Sequence, residues 1–221
     1  MPLSSVVGAQ SIVRPGVCTS TTRPASPYDG QMIYETDTNL VKVYEGAAWV
    51  TVGPTTAGGL VVVKAETAFS GATTVTADGV FTSAFTNYRV LITYATVTPN
   101  NLFFALGAAT VYANTNYNSQ RLLADNTTVT AVRAAGAVSA NIGNNNSGTV
   151  SSVAIDLFGP QLAAPTTYQA SGNLNTGAFA QPVVNLHSGN QSDSTAFDGF
   201  KLISGGNITG SYTIYGYAKT V

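Results

Sequence analysis

Apolar residues in this sequence recur at every second position, and no segment keeps them at the three- and four-residue spacing that gives a helix one buried face. In Tyr88–Ala95, the residues Tyr88, Val90, Ile92 and Tyr94 fall on one side of an extended chain, with Arg89, Leu91, Thr93 and Ala95 on the other. Val153, Ile155 and Leu157 repeat the pattern. Near the end, Ser211, Thr213, Tyr215 and Tyr217 alternate with Tyr212, Ile214, Gly216 and Ala218, which predicts a core strand. β-Branched and aromatic residues fill these runs, and strong helix formers such as Glu, Lys and Gln are sparse. The chain is therefore expected to be all-β.

Clusters of turn-forming residues separate the runs: Asp78-Gly79, Thr98-Pro99-Asn100-Asn101, Gly143-Asn144-Asn145-Asn146 and Gly205-Gly206-Asn207. Many short strands with turns between them and no helical crossovers argue for an antiparallel β-sandwich, jelly-roll-like, rather than a parallel α/β sheet. No repeat of fixed period supports a β-helix.

The first fifty residues read differently. Thr19–Pro27 carries prolines at Pro24 and Pro27, which interrupt a regular ladder. Gln31–Glu35 and Leu40–Tyr44 then form two strand-like runs joined by Thr36-Asp37-Thr38-Asn39, a hairpin signal, and Trp49 lies on a third short run. Tyr34, Tyr44 and Trp49 are expected to cluster, because so short a segment has no large core to offer. Gly53–Gly59 looks like a linker. The expected organisation is an N-terminal arm and β-hairpin module over 1–53, a linker over 54–59 and a β-sandwich domain over 60–221.

Composition narrows the function. Only 9% of the 221 residues are charged, against about 25% in ordinary soluble domains, while 44% are hydrophobic. Such a chain folds and presents a neutral surface rich in hydroxyls and amides, suited to packing against other protein copies or to facing carbohydrate. The nine Lys and Arg are scattered with none adjacent, so the basic patch that nucleic-acid binding needs is missing. The opening MPLSSVVGAQ lacks the basic and long apolar regions of a signal peptide, and no apolar run reaches the roughly 18 residues of a membrane span. Cys18 is the only cysteine, which leaves no intramolecular disulfide.

Catalytic constellations are equally sparse. His187 is the sole histidine and reads as the end of a short strand running into a loop, so it offers no triad context, and no set of several His or Cys exists for zinc. No glycine loop leads into a helix, so no nucleotide and no other cofactor is expected. Asp193 and Asp198 share one loop-like segment and read as turn residues or, less often, a calcium ligand set, rather than a glycosidase pair. Tyr112 and Tyr117, interleaved with Asn114, Asn116 and Asn118, are candidates for an exposed loop that stacks on sugar rings.

The stretch Thr22-Arg23-Pro24-Ala25-Ser26-Pro27-Tyr28-Asp29-Gly30-Gln31-Met32-Ile33-Tyr34-Glu35-Thr36-Asp37-Thr38-Asn39, continuing to Tyr44-Glu45-Gly46-Ala47-Ala48-Trp49-Val50, resembles a module found in structural proteins of tailed bacteriophages. Such modules occur in minor tail, fibre, collar and head-decoration proteins. A second resemblance, to phage fibre-tip or tail-associated sandwiches, rests on Phe81, Phe85, Tyr88 and Arg89 in FTSAFTNYRVLITY and on the ending GSYTIYGYAK. The resemblance implies a non-enzymatic virion protein made in the bacterial host cytoplasm, located on the tail or the capsid surface. Its partners would be other virion proteins and itself as a homotrimer, with host surface carbohydrate as a further contact. Pro24, Pro27, Gly30, Tyr34, Tyr44 and Trp49 would then belong to the virion-docking module. A tail fibre or minor tail protein and a capsid decoration or head-fibre protein both fit this pattern; a glycan depolymerase fits it less well.

Overall fold

The computed structural model describes residues 15–53, 59–125, 127–145, 148–176 and 181–219. The expected linker over 54–59 lies, apart from Gly59, outside them, as does the opening segment through Arg14. Among the described residues every regular element is a strand, and the fold is all-β and sandwich-like. No helix among them is long and apolar enough to cross a membrane. The chain divides into two compact units, Met1–Ala57 and Gly58–Val221.

The first unit is a mixed sheet of four strands in sequential order: β1 (Gly16–Cys18), β2 (Met32–Glu35), β3 (Leu40–Tyr44) and β4 (Trp49–Thr51). β2, β3 and β4 form the expected hairpin and third run, pairing antiparallel. β1 was not legible, because three residues carry no readable alternation. It pairs parallel to β2, with Gly16 opposite Ile33 and Cys18 opposite Glu35. Beyond it the Thr36 N–H and hydroxyl both donate to the Cys18 carbonyl, at 2.9 and 3.3 Å. A turn over Tyr28–Gln31 feeds β2, and Gly30 takes φ +81° there, a left-handed conformation that a side chain would strain.

The second unit contains β5 (Leu60–Ala77), β6 (Asn87–Thr96), β7 (Asn100–Ala108), β8 (Val111–Tyr112), β9 (Tyr117–Asp125) and β10 (Thr128–Ala137). β11 (Ala140–Asn145), β12 (Val150–Phe158), β13 (Thr166–Thr176), β14 (Gln181–Gln191) and β15 (Gly199–Tyr217) complete it. They form one curled antiparallel sheet in the order β10-β9-β14-β13-β12-β6-β15-β7-β11, with β5 on the other edge of β15 and β8 on β7.

The curl comes from a shared corner. β15 is 19 residues long and pairs with β7 through Gly199–Ser204, then with β6 through Ile208–Gly216. β6 and β7 therefore run in the same direction and act as one long strand bent at residues 97–99. The clusters Thr98-Pro99-Asn100-Asn101 and Gly205-Gly206-Asn207, read from sequence as turns, are the two sides of this corner and reverse nothing. Asn100 and Thr98 side chains lie where side chains on Gly205 and Gly206 would have to sit, and the Val97 N–H still reaches the Asn207 carbonyl at 3.3 Å across the bend. Bending folds the β7–β11 half back, so that β11 packs against β12 and β13. The enclosed core is aromatic: Phe200, fully buried, has Phe104, Tyr212 and Phe81 at ring-centroid distances of 5.3, 5.7 and 6.2 Å.

Alternation reads the faces correctly in the strands that flank this core. Tyr88, Val90, Ile92 and Tyr94 of β6, Val153, Ile155 and Leu157 of β12, and Tyr212 and Ile214 of β15 are all buried.

Candidate functional site

In the first unit the residues that organise the module are charged. Ile33 and Glu35 occupy the buried face of β2, both essentially without solvent contact. The Glu35 carboxylate accepts from the Arg23 Nε at 2.5 Å and from the Thr38 hydroxyl at 2.9 Å, with the Lys42 ammonium 4.0 Å away. Arg23 in the first place, then Thr38 and Lys42, hold this carboxyl below the usual range against the opposing effect of burial. Asp37 accepts from the Ser20 N–H at 2.9 Å and from its hydroxyl at 2.5 Å, which holds its carboxyl low as well. The proline-stiffened lead-in is thus tied to the hairpin at two carboxylates. Pro24 and Pro27 lie in the irregular stretch between Arg23 and the Tyr28 turn, each half-buried.

The expected three-aromatic cluster does not form. Tyr44 and Trp49 pair across β3 and β4 with ring centroids 5.4 Å apart, and Tyr44 donates its hydroxyl to the Gly46 carbonyl. Tyr34 stands opposite Val41, an odd number of residues from Tyr44, so it faces the other side of the sheet and donates to the Asn39 side chain at 2.9 Å. Glu35 could have been found from parity alone, since it shares the face of Ile33; Arg23, in the irregular lead-in, carries no such signal.

In the second unit, the two segments that carry the second resemblance meet. Phe81 and Phe85 pack on the Tyr88 ring at 4.8 and 5.9 Å, and the Tyr88 hydroxyl accepts from the Thr82 N–H and donates to its carbonyl, both at 2.6 Å. Phe85 lies over Gly216, where any side chain would collide with its ring. Alongside, the Tyr217 hydroxyl donates to Asp156 at 2.6 Å, and Arg89 lies 3.6 Å from the same carboxylate.

Tyr112 and Tyr117 do not share an exposed loop. Tyr117 opens β9 with its ring buried in the core and its hydroxyl accepting from the Leu106 N–H at 2.7 Å, so no ring face is left for a sugar. Tyr112 is half-buried on β8. Its hydroxyl donates to Asp78 at 2.5 Å, its ring lies against Gly107, and the Lys201 ammonium sits 4.7 Å from its centroid. Burial, then Asp78, pushes its hydroxyl up to about 12. Asp193 and Asp198 act as turn organisers. Asp193 accepts from Asn116 and Gln191 side chains at 2.7 and 2.6 Å, and Asp198 from the Ala109 N–H at 3.2 Å within the tight β7–β8 turn.

His187 also lies elsewhere than expected. It is in the middle of β14, paired with Arg121 of β9, only 4% exposed, and neither ring nitrogen has a hydrogen-bond partner. Burial first, then the neighbouring Arg121, pushes the imidazole down to about 4. It borders a cavity of about 400 Å³ whose polar lining is Asn101, Ser119, Arg121, Ser139, Asn141 and His187. The Arg121 Nε is buried and unpartnered, and among the described residues no ion pair involves Arg121. Two residues before His187 on the same face, Asn185 is fully buried with both amide atoms unpaired. Among the described residues no cluster of three His, Cys, Asp or Glu side chains could hold a metal ion.

Architecture and chemistry together define an all-β, sandwich-like protein with a cleft of mixed polar and apolar lining and a small ion-pair-tied sheet. No protein-family model matches this chain, and no curated protein matches it at a significant level.

Proposed function

We propose that this chain is a non-enzymatic structural protein of a tailed-phage virion, a tail fibre or minor tail protein contributing to host-surface attachment. The observation that carries the reading is the ordered segment from Thr22 to Val50, which resembles tailed-phage structural modules. That segment lies within the first compact unit, where Arg23, Glu35, Ser20 and Asp37 tie its lead-in to its hairpin. A capsid decoration or head-fibre protein remains the competing location.

The outer face of the second unit supports a contact role. Register sets Leu91, Ala154, Ser171, Leu186 and Leu122 in one row across β6, β12, β13, β14 and β9. Leu91, Leu186 and Leu122 are 39%, 46% and 46% exposed. Thr93, Ser152 and Asn173 lie beside this row, and the nearby Arg89 and Asp156 neutralise one another. A neutral face of this kind suits protein copies or carbohydrate. Self-association as a homotrimer through this unit belongs to the same proposal, since cyclic closure would cover such a row.

Localisation on the particle tests the reading. Labelled protein at the tail supports it, copies spread over the icosahedral shell replace it with decoration, and absence from virions sinks both. Native mass of the full chain should give three copies, and Leu186→Lys should shift it toward one. A monomeric native chain removes the trimer. Clear release of reducing sugar from host envelope would make the protein a depolymerase instead.

A further inference from the structure

We propose that the cavity beneath β14 and β9 binds a carboxylate-bearing sugar residue, with Arg121 taking the carboxylate and His187, Ser119, Ser139, Asn101 and Asn141 taking hydroxyls. The volume, about 400 Å³, lies in the range of small-molecule pockets, roughly 300–1,000 Å³. Phe103, Val132, Ala134 and Ala137 supply an apolar wall of the kind that faces the C–H side of a sugar ring.

The choice of ligand follows from the donors. Arg121 brings a positive charge to a lining that contains no carboxylate, and its buried Nε has no hydrogen-bond partner inside the protein. A guanidinium meets a carboxylate with two parallel hydrogen bonds, whereas a phosphate carries more negative charge than one cation offsets. The rest of the lining can both donate and accept. Ser119 and Ser139 do so through hydroxyls, and Asn101 and Asn141 through amides. His187, held neutral by its burial at physiological pH, presents one donor and one acceptor with no partner inside the protein. Groups of that kind match hydroxyls, which donate and accept in turn, and match poorly a ligand made only of acceptors. The inference deepens the attachment reading and rests on it for the source of the sugar, a glycan of the host surface.

The test is titration of the full chain, by calorimetry or ligand-observed NMR, with D-glucuronate, D-galacturonate and N-acetylneuraminate, against D-glucose and inorganic phosphate. At least one sugar acid should bind saturably and at least about tenfold tighter than glucose or phosphate, the usual scale for a charge-assisted pair. Arg121→Gln should abolish that preference and Arg121→Lys should restore part of it. Arg133→Gln, which removes a cation from the outward side of β10, should leave binding unchanged. Thermal melts establish that each variant is folded, and if Arg121→Gln is not, the wild-type preference for acid over neutral sugar still decides. Folded protein that ignores all three sugar acids, or that takes glucose or phosphate as tightly, overturns the proposal. Sugar-acid binding by a protein absent from virions sinks the attachment reading and leaves the cavity; a virion protein that ignores sugar acids does the reverse.

Discussion

The two units solve the same problem with opposite materials. The second buries Tyr88, Phe104, Phe200, Ile155, Ile214 and many other apolar side chains between the folded halves of a curled sheet. Ile33 is the only buried hydrophobic side chain among the described residues of the first, and a fully buried carboxylate sits beside it. A sheet of four short strands has too little apolar area for a conventional core, so its lead-in is held by directional charge-assisted bonds at Glu35 and Asp37. The consequence is a difference in what each unit tolerates. The first should respond to loss of a charge, and the second to loss of volume.

The largest expected effect lies in the aromatic core. Phe200→Ala removes a ring that touches Phe81, Phe104 and Tyr212, and should destabilise the second unit by about 3–5 kcal/mol in denaturant melts. Amide protection over 31–44 should stay as it is. Parallel loss in both units would mean that they fold as one.

Acid should then separate them. The unfolded chain takes up a proton at His187 near the ordinary imidazole value of 6.5, whereas the native chain does so only near 4. Between these values the unfolded state binds more protons, so stability of the second unit falls as pH drops through this window, by about 3 kcal/mol in all. His187→Gln should flatten that slope. The native Glu35 pKa is depressed, so its contribution is present above the ordinary value of 4.5 and is lost only as pH falls through the lower native value. Exchange-detected unfolding on acidification should therefore weaken the second unit at a higher pH than the first; the reverse order contradicts the assignment of these groups.

A smaller, local effect is expected from Glu35→Gln, which keeps shape but leaves Arg23 and Lys42 without their counter-charge. Protection of 31–44 should drop while the melt of the second unit is unchanged, and unaltered protection there would show that the carboxylate does not organise the module. Smallest of all, Trp49→Ala removes one partner of the Tyr44 pair and should cost about 1–2 kcal/mol, without releasing the module from its carboxylate ties. Protease cleavage within 20–50 as rapid as in Glu35→Gln would return the aromatic pair to first place.

From the sequence alone it follows that the chain is built of strands, and for β6, β12 and β15 which residues share a face, because side-chain direction alternates locally whatever the strand pairs with. It also marked where the chain departs from regular extension. What it could not decide is whether a Gly- or Pro-containing cluster reverses the chain or only bends it. At 98–101 and 205–207 that depends on β15, more than a hundred residues from β6, running along both β6 and β7. The same dependence hid the sites. Tyr34 and Tyr44 were separated by register, and Tyr117 and His187 were buried because β9 and β14 pair with each other across some sixty residues of chain. Arg121, itself half-buried, came to line the cleft beside His187 through that pairing and the return of β7 and β11. Periodicity is a property of neighbours along the chain; which face is inside, and which charge meets it, is a property of partners brought together only by the tertiary fold.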